Sequence, residues 1–391
     1  MSKKEQADSL LQNFFNGTVN RREFITRALA LGASATAIGA VLEACSGGEP
    51  EAPKTPEVKA PDAPPVPAPE PDLGPMETEL NIYNWSDYIA EDTIANFEKE
   101  TGIKVRYDLY ESNEEMMAKL QVGASDYDIV VPTGYIVTVL GAQDLISPLV
   151  KKYLTNFKNV APLFANPDFD PENKYSVPYQ WGTSGIAYRA DKVNPPPDSW
   201  GVFLDTKLKG KMTQMDDVRE VLGAWLKFRG KSYNSVDKAE LDVAKADAIA
   251  SKANLKAYIS APVKGQLVSG DVWVAQLWNG DTAQARTEQD QIAYVLPKEG
   301  AGIWTDSLVI PKTAPHKRAA HAFIDFILRG DVGASISNFT GYGTPNNESM
   351  AKLTVPVPFP TDDEMKRLEF AKDLAAATQL WDEIWTEVKS S

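Results

Sequence analysis

The sequence predicts an α/β protein of two lobes with a cleft between them, and three observations carry that expectation. First, short alternating or apolar runs at residues 80–85, 103–109 and 128–132 take turns with helical patterns at 86–99 and 114–122. That is the rhythm of a doubly wound sheet. The run Ile129-Val130-Val131 is apolar throughout, as a strand covered on both faces must be. Second, the rhythm returns: helices are predicted from the stretch around Asp216 to 228 and at 236–251, strands at 272–278 and 292–297. Third, two long extended passages, 174–188 and 303–311, join the two sets. Helices at 319–329 and 334–338, a loop at 341–346 and one or two amphipathic helices within 362–389 complete the chain. The lobes are then 80–183 plus 304–351 and 184–303 plus 352–391, with mixed, mostly parallel sheets and two hinge crossings.

The N-terminus differs in kind. Arg21-Arg22-Glu23-Phe24-Ile25 precedes a charge-free run at 28–42, too short for a bilayer core that takes about 20 residues. A basic region followed by a short apolar one reads as an export signal over residues 1–44. Its paired arginines are similar to the twin-arginine motif of cargo exported already folded. Leu42-Glu43-Ala44-Cys45 resembles a lipobox, in which the cysteine is lipidated, although Glu43 replaces the usual small or aliphatic residue. Residues 45–79 hold ten of the 27 prolines and no aromatic residue. They read as an extended tether reaching roughly 100 Å at about 3.1 Å per residue. Membrane contact is expected only through this N-terminal anchor.

Composition narrows the chemistry. A formal charge of −14 disfavours nucleic acid and anionic lipid and favours cationic partners. Cys45 is the one cysteine, and the two histidines, His316 and His321, fall five apart on a predicted helix. No Cys/His metal site, cofactor or catalytic residue is expected. A Ser-His-Asp triad through either histidine stays open, against the blander expectation of exposed or half-buried helix positions.

The stretch Met215-Asp216-Asp217-Val218-Arg219-Glu220 sets three carboxylates before an apolar helical run. Asp217 and Glu220 have the D-x-x-E spacing of a capping box. They fit equally a pair of acids facing a cleft and holding a cation, and spacing alone leaves both readings open. At strand ends and in loops stand Trp85, Asp87, Tyr88, Thr133, Tyr135, Trp278, Trp304, Asp306 and Tyr342. Singly, such aromatic residues are most often packing and such acids caps. The repeated pairing of ring with acid, Trp85 with Asp87 and Trp304 with Asp306, suits an elongated polycation with apolar spacers. Ammonium groups leaving water need charge-assisted acceptors, and a ring face adds roughly 2 kcal/mol for a desolvated cation. Without ligand, such acids repel one another and tend to protonate.

These motifs resemble a known family. Trp85-Ser86-Asp87-Tyr88, Val130-Val131-Pro132-Thr133, Asp216-Asp217-Val218-Arg219-Glu220-Val221, Trp278-Asn279-Gly280, Trp304-Thr305-Asp306-Ser307-Leu308 and Gly341-Tyr342-Gly343-Thr344-Pro345-Asn346 resemble the bacterial polyamine-binding proteins. Those are the periplasmic spermidine/putrescine receptors of ABC importers, in extracellular solute-binding family 1. The resemblance implies a two-lobed type II periplasmic-binding-protein fold, a monomer with a polyamine ligand and an inner-membrane permease as partner. It assigns Trp85, Asp87 and Tyr88 to a first ligand loop, and Thr133 and Tyr135 to the segment after the third strand. Asp217 and Glu220 become the acid pair at one end of a triamine, which leans toward spermidine. Trp278, Trp304 and Tyr342 become walls, and Asp306 the acid gripping an amine. A glutamine used by some spermidine receptors would fall near Ala371, where no amide stands. Two other readings stay in play: a same-fold receptor for a sugar, another amine or iron, and an exported hydrolase using Asp217 and Glu220.

Overall fold

The structure is a computed structural model that describes residues 70–391, apart from positions 124, 125, 261, 355, 356, 358 and 359, together with Leu10, Asn13 and Val19. The expected signal at 1–44, Cys45 and most of the tether lie outside the described residues.

Alternation builds the first strands. In β1 (Glu79–Trp85), Leu80 and Ile82 face one core while the chain pairs in parallel with β2 (Lys104–Tyr110) on one side and β3 (Ile129–Val130) on the other. Between them run α1 (Thr93–Thr101), closed by Gly102 at φ +76°, and α2 (Asn113–Gln121), whose first turn is capped by the Ser112 side chain. A third helix, α3 (Gly134–Ala142), begins immediately after Thr133. Its β-branched run Ile136-Val137-Thr138-Val139 argues locally against a helix, so periodicity left it unassigned. Burial of Ile136, Val137 and Leu140 overrides that preference.

β4 (Ser176–Arg189) is buried along its whole length and is the spine of the sheet. Residues 176–183 pair antiparallel with β9 (Gly302–Val309), whereas 184–189 pair with β7 (Val274–Trp278) and β8 (Ile292–Val295). The partner strand thus changes between Thr183 and Ser184. The order is β2-β1-β3-β9-β4-β7-β5-β6, completed by β5 (Met212–Gln214) and β6 (Leu255–Tyr258), with β10 (Glu369–Phe370) beside β9. Pairing is parallel on the flanks and antiparallel where β9 and β4 run through the middle. β5, β6 and β10 are too short to register as periodic runs. The C-terminal stretch read as helical is broken by β10 into α11 (Asp362–Met365) and α12 (Thr378–Ser390).

The remaining helices are α4 (Val218–Phe228), α5 (Lys238–Lys252), α6 (Val263–Ser269), α7 (Asn279–Glu288), α8 (Lys317–Ile327), α9 (Gly330–Thr340) and α10 (Asn347–Met350). Two principal cores form. One gathers Leu80, Ile82, Phe97, Phe323, Ile324 and Trp304; the other gathers Trp200, Leu222, Trp225, Ile303 and Trp381. β9 therefore contributes to one core through Ile303 and to the other through Trp304.

Both histidines are structural. His316 is the cap residue of α8, half-buried, with Nδ1 2.9 Å from Asp128 Oδ2. His321 lies deeper than its helical position suggested, fully buried, and its Nε2 accepts the Val150 N–H at 2.9 Å. Burial pushes its pKa down, which keeps that nitrogen an acceptor.

Residues 70–79, read from composition as tether, are docked on the domain. Glu70 accepts the N–H groups of Lys151 and Lys152 at 3.0 and 2.7 Å, Tyr153 donates to Asp72 at 2.9 Å, and Glu77 accepts the Ala319 N–H at 2.8 Å. Glu77 thus caps the first turn of α8 from outside the helix. Losing such a cap costs about 1 kcal/mol. Glu77→Ala is therefore expected to lower the melting temperature by about 2 °C in a domain of this size. An unchanged thermal melt would mean that water serves those amides as well.

Candidate functional site

The site grows from strand ends. Trp85 closes β1 with its indole N–H donated to the Val131 carbonyl at 2.8 Å and its ring tilted on Tyr110 at 4.6 Å. The following turn brings Tyr88 inward, where its hydroxyl donates to Asp306 Oδ2 at 2.9 Å. Trp304 and Asp306 stand two apart on β9, so both project from one face. Thr133 immediately precedes α3 and exchanges hydrogen bonds with Asn113, and Tyr135 follows in the first helical turn. Trp278 ends β7, and Tyr342 follows the left-handed Gly341 that terminates α9.

The capping box divides its labour. Asp217 is the cap of α4 and accepts the N–H groups of Arg219 and Glu220 at 2.7 and 3.1 Å. Glu220 does not complete the box. Its carboxylate turns toward the sheet and accepts from Ser184 at 2.8 Å, Tyr233 at 3.1 Å and the Trp278 indole at 3.2 Å. Of the capping-box reading, only the Asp217 half is present, while Glu220 turns to the sheet.

A cleft of about 850 Å³, open solvent at its mouth included, is lined by Trp85, Tyr88, Thr133, Tyr135, Asp217, Glu220, Trp278, Trp304, Asp306 and Tyr342. Its rings meet edge to face: Tyr88 on Tyr342 and Trp304 on Tyr342, each at 5.3 Å between centroids. Asp87 is the exception. It adopts φ +53°, its side chain is 64% exposed, and it pairs with Lys264 of α6 at 2.9 Å instead of lining the cleft. Where the sequence reading put a ligand beside Asp87, the structure puts that ammonium, 177 residues away in the chain.

Three of the lining residues that went unrecognised in the sequence shape the electrostatics of the cleft. Asp281 lies 4% exposed in the first turn of α7, three residues after Trp278, with Lys264 Nζ at 3.2 Å. Its spacing from Trp278 would have pointed inward had α7 been assigned. Arg219 also borders the cleft, stacked over Tyr135 at 5.1 Å and Trp381 at 5.0 Å, its N–H groups donated to the Lys372 carbonyl and Asn234. Tyr233 is the third, held by Glu220. Ala371 lines the cleft as well.

Burial dominates the electrostatics. It pushes Asp306 up to about 7, against the pull of the Thr133 and Tyr88 hydroxyls. It also lifts Glu220 to about 7, with Asp217 adding repulsion, and raises Asp217 itself. Asp306 Oδ1 and Trp304 Nε1 are buried without a hydrogen-bond partner among the described residues. An orphaned acceptor on a buried acid costs about 1–3 kcal/mol or more, and a cationic donor in the cleft would remove that cost.

A model of bacterial extracellular solute-binding proteins matches residues 92–367 of this chain. The chain belongs to that family. The spermidine/putrescine-binding periplasmic protein of Escherichia coli is 37% identical over 320 residues, covering 80% of this chain and 91% of that protein. The putrescine/cadaverine-binding protein of Pseudomonas aeruginosa is 36% identical over 330 residues, covering 80% and 93%. Among solved structures, the TpPotD lipoprotein of Treponema pallidum superposes with a TM-score of 0.73 at 30% identity, covering 79% of this chain and 99% of that one.

Two glycines let the walls of this solute-binding protein close up. A Cβ at Gly182 would stand 2.5 Å from both the Trp304 ring and Asn279 Oδ1. A Cβ at Gly280 would meet the Tyr342 ring inside contact distance. Any larger residue at either position displaces a wall.

Proposed function

We propose that this solute-binding protein captures a polyamine, spermidine or putrescine, in its cleft and delivers it to the membrane permease of an ABC importer. The observation that carries the reading is Asp306, a buried carboxylate with one unpartnered oxygen, set among the rings of Tyr88, Trp304 and Tyr342. Ammonium groups supply donors and charge to such an acid, while methylene spacers lie against rings. Relatives named for spermidine, putrescine and cadaverine support the same class of ligand. Asp217, Glu220 and Asp306 would hold ammonium groups; Trp85, Tyr88, Thr133, Tyr135, Trp278, Trp304 and Tyr342 would enclose the chain. The hydrolase reading loses support, because Asp217 and Glu220 stand three residues apart at the start of one helix, whereas glycosidase acids flank the scissile bond from opposite faces.

The change of partner strand between Thr183 and Ser184, and the split of Ile303 and Trp304 between cores, support lobe boundaries at 183/184 and 303/304. Ligand would then favour the closed arrangement of two lobes. The paired arginines, the short apolar run and Cys45 support export by the twin-arginine route to the periplasm and a lipid anchor; the mass of the mature N-terminus tests the anchor.

Native mass spectrometry of the purified protein, followed by calorimetry with spermidine and putrescine, tests the ligand. Micromolar or tighter binding of at least one, near −8 kcal/mol, is expected. Failure to bind any polyamine, with thermal stabilisation by a sugar or ferric iron instead, would overturn the proposal.

A further inference from the structure

Lys264 of α6 stands beside Asp281, an acid of the cleft wall. Its Nζ has three oxygen neighbours: Gln284 Oε1 at 2.8 Å, Asp87 Oδ2 at 2.9 Å and Asp281 Oδ1 at 3.2 Å. An ammonium has three donors; here two make hydrogen bonds, to Gln284 and Asp87, and Asp281 adds an ion pair. Asp281 lines the cleft and is 4% exposed, and the Lys264 side chain is itself only 17% exposed. Burial works against this ammonium, but Asp281 and Asp87 together raise its pKa. A primary ammonium paired with an acid of the cleft wall is what the end of a polyamine would present. Here the chain presents it from within.

We infer that Lys264 is a built-in occupant of one amine position and sets the length of ligand accepted. The inference rests on the polyamine reading and deepens it. With Asp281 paired to Lys264 and Asp87 outside the lining, the buried or half-buried acids left for a ligand are the Asp217–Glu220 pair and Asp306, the exposed lining acid Glu111 being held by the Ser86 hydroxyl. Two such loci match a diamine. The third ammonium of a triamine meets the like charge of Lys264. The acid pair read from sequence leans toward spermidine; Lys264 reverses that lean toward putrescine.

Calorimetry with putrescine and spermidine on the wild type, Lys264→Gln and Lys264→Arg tests this. The wild type is expected to bind putrescine more tightly. In Lys264→Gln the ratio of the two affinities should move at least tenfold toward spermidine, because Asp281 and Asp87 are freed for a third ammonium. Lys264→Arg should keep the wild-type ratio. Equal changes for both ligands in Lys264→Gln would overturn the inference and leave Lys264 as a tie between the Asp87 turn and α6. So would a wild-type preference for spermidine. If Lys264→Gln does not fold, the charge-balanced pair Lys264→Gln/Asp281→Asn decides: removal of the like charge should still move the affinity ratio toward spermidine by threefold or more, and an unchanged ratio overturns the inference. A wild type that binds neither polyamine removes the functional proposal itself, whatever the variants do.

Discussion

Asp306→Asn is expected to weaken polyamine binding by roughly 10–100-fold while leaving the empty protein at least as stable as the wild type. The first effect follows from charge. A hydrogen bond to an ionised group nets about 1.5–3 kcal/mol, and 1.4 kcal/mol is a factor of ten in affinity. Asparagine keeps the shape and an oxygen for the Tyr88 hydroxyl, which donates to Asp306 at 2.9 Å, but it offers no charge to an ammonium. The second effect follows from burial, which pushes the Asp306 carboxyl up to about 7. Ionising that group in the empty cleft is unfavourable, and the amide removes the cost. Opposite movements of affinity and melting temperature separate loss of a ligand contact from loss of fold. Unchanged calorimetric affinity in the variant would sink the assignment of Asp306 and weaken the whole polyamine reading.

Affinity is also expected to fall by a factor of ten or more between pH 8 and pH 6. Glu220 and Asp306 both sit near 7 in the empty protein, and Asp217 is raised as well. The groups facing Glu220 are Asp217, Tyr233, Ser184 and the Trp278 indole; those facing Asp306 are Tyr88 and Thr133. A polycation binds the ionised forms. Below pH 7 binding must therefore expel protons, at a cost of up to tenfold per unit of pH for each group. Calorimetry at pH 6.5 in two buffers of different ionisation enthalpy should report proton release on binding. Zero proton exchange there would contradict the raised acids.

The same shifts fix how the empty protein responds to pH. The ordinary values are 3.8 for Asp306 and 4.5 for Glu220, and the folded values lie near 7. Between these limits the native state holds more protons than the unfolded chain, so stability falls as pH rises through that window. Saturating ligand, which favours the ionised groups, should flatten or reverse the slope.

Much of the site was legible because its signals are local. The pair Trp304 and Asp306 shares a face through the two-residue period of a strand, and Asp217 caps α4 through a contact spanning three residues. The same locality predicts α1, α2, β1, β2 and β4. It fails for α3, whose β-branched run opposes a helix until tertiary burial decides, and for β5, β6 and β10, which are shorter than the period needed to see them.

By itself the sequence determined the alternation of strands and helices, the acid-and-ring composition of the cleft and the cap at Asp217, since each rests on neighbours a few residues apart. Tertiary structure alone decided where the charges point. Glu220 leaves its capping role for Ser184 and Trp278, 36 and 58 residues distant. Asp87 is taken by Lys264, and residues 70–79 fold back onto α8 and the chain at 151–153. Those outcomes depend on which donors the fold delivers to each carboxylate, and hydrogen bonding between distant segments leaves no mark on local periodicity.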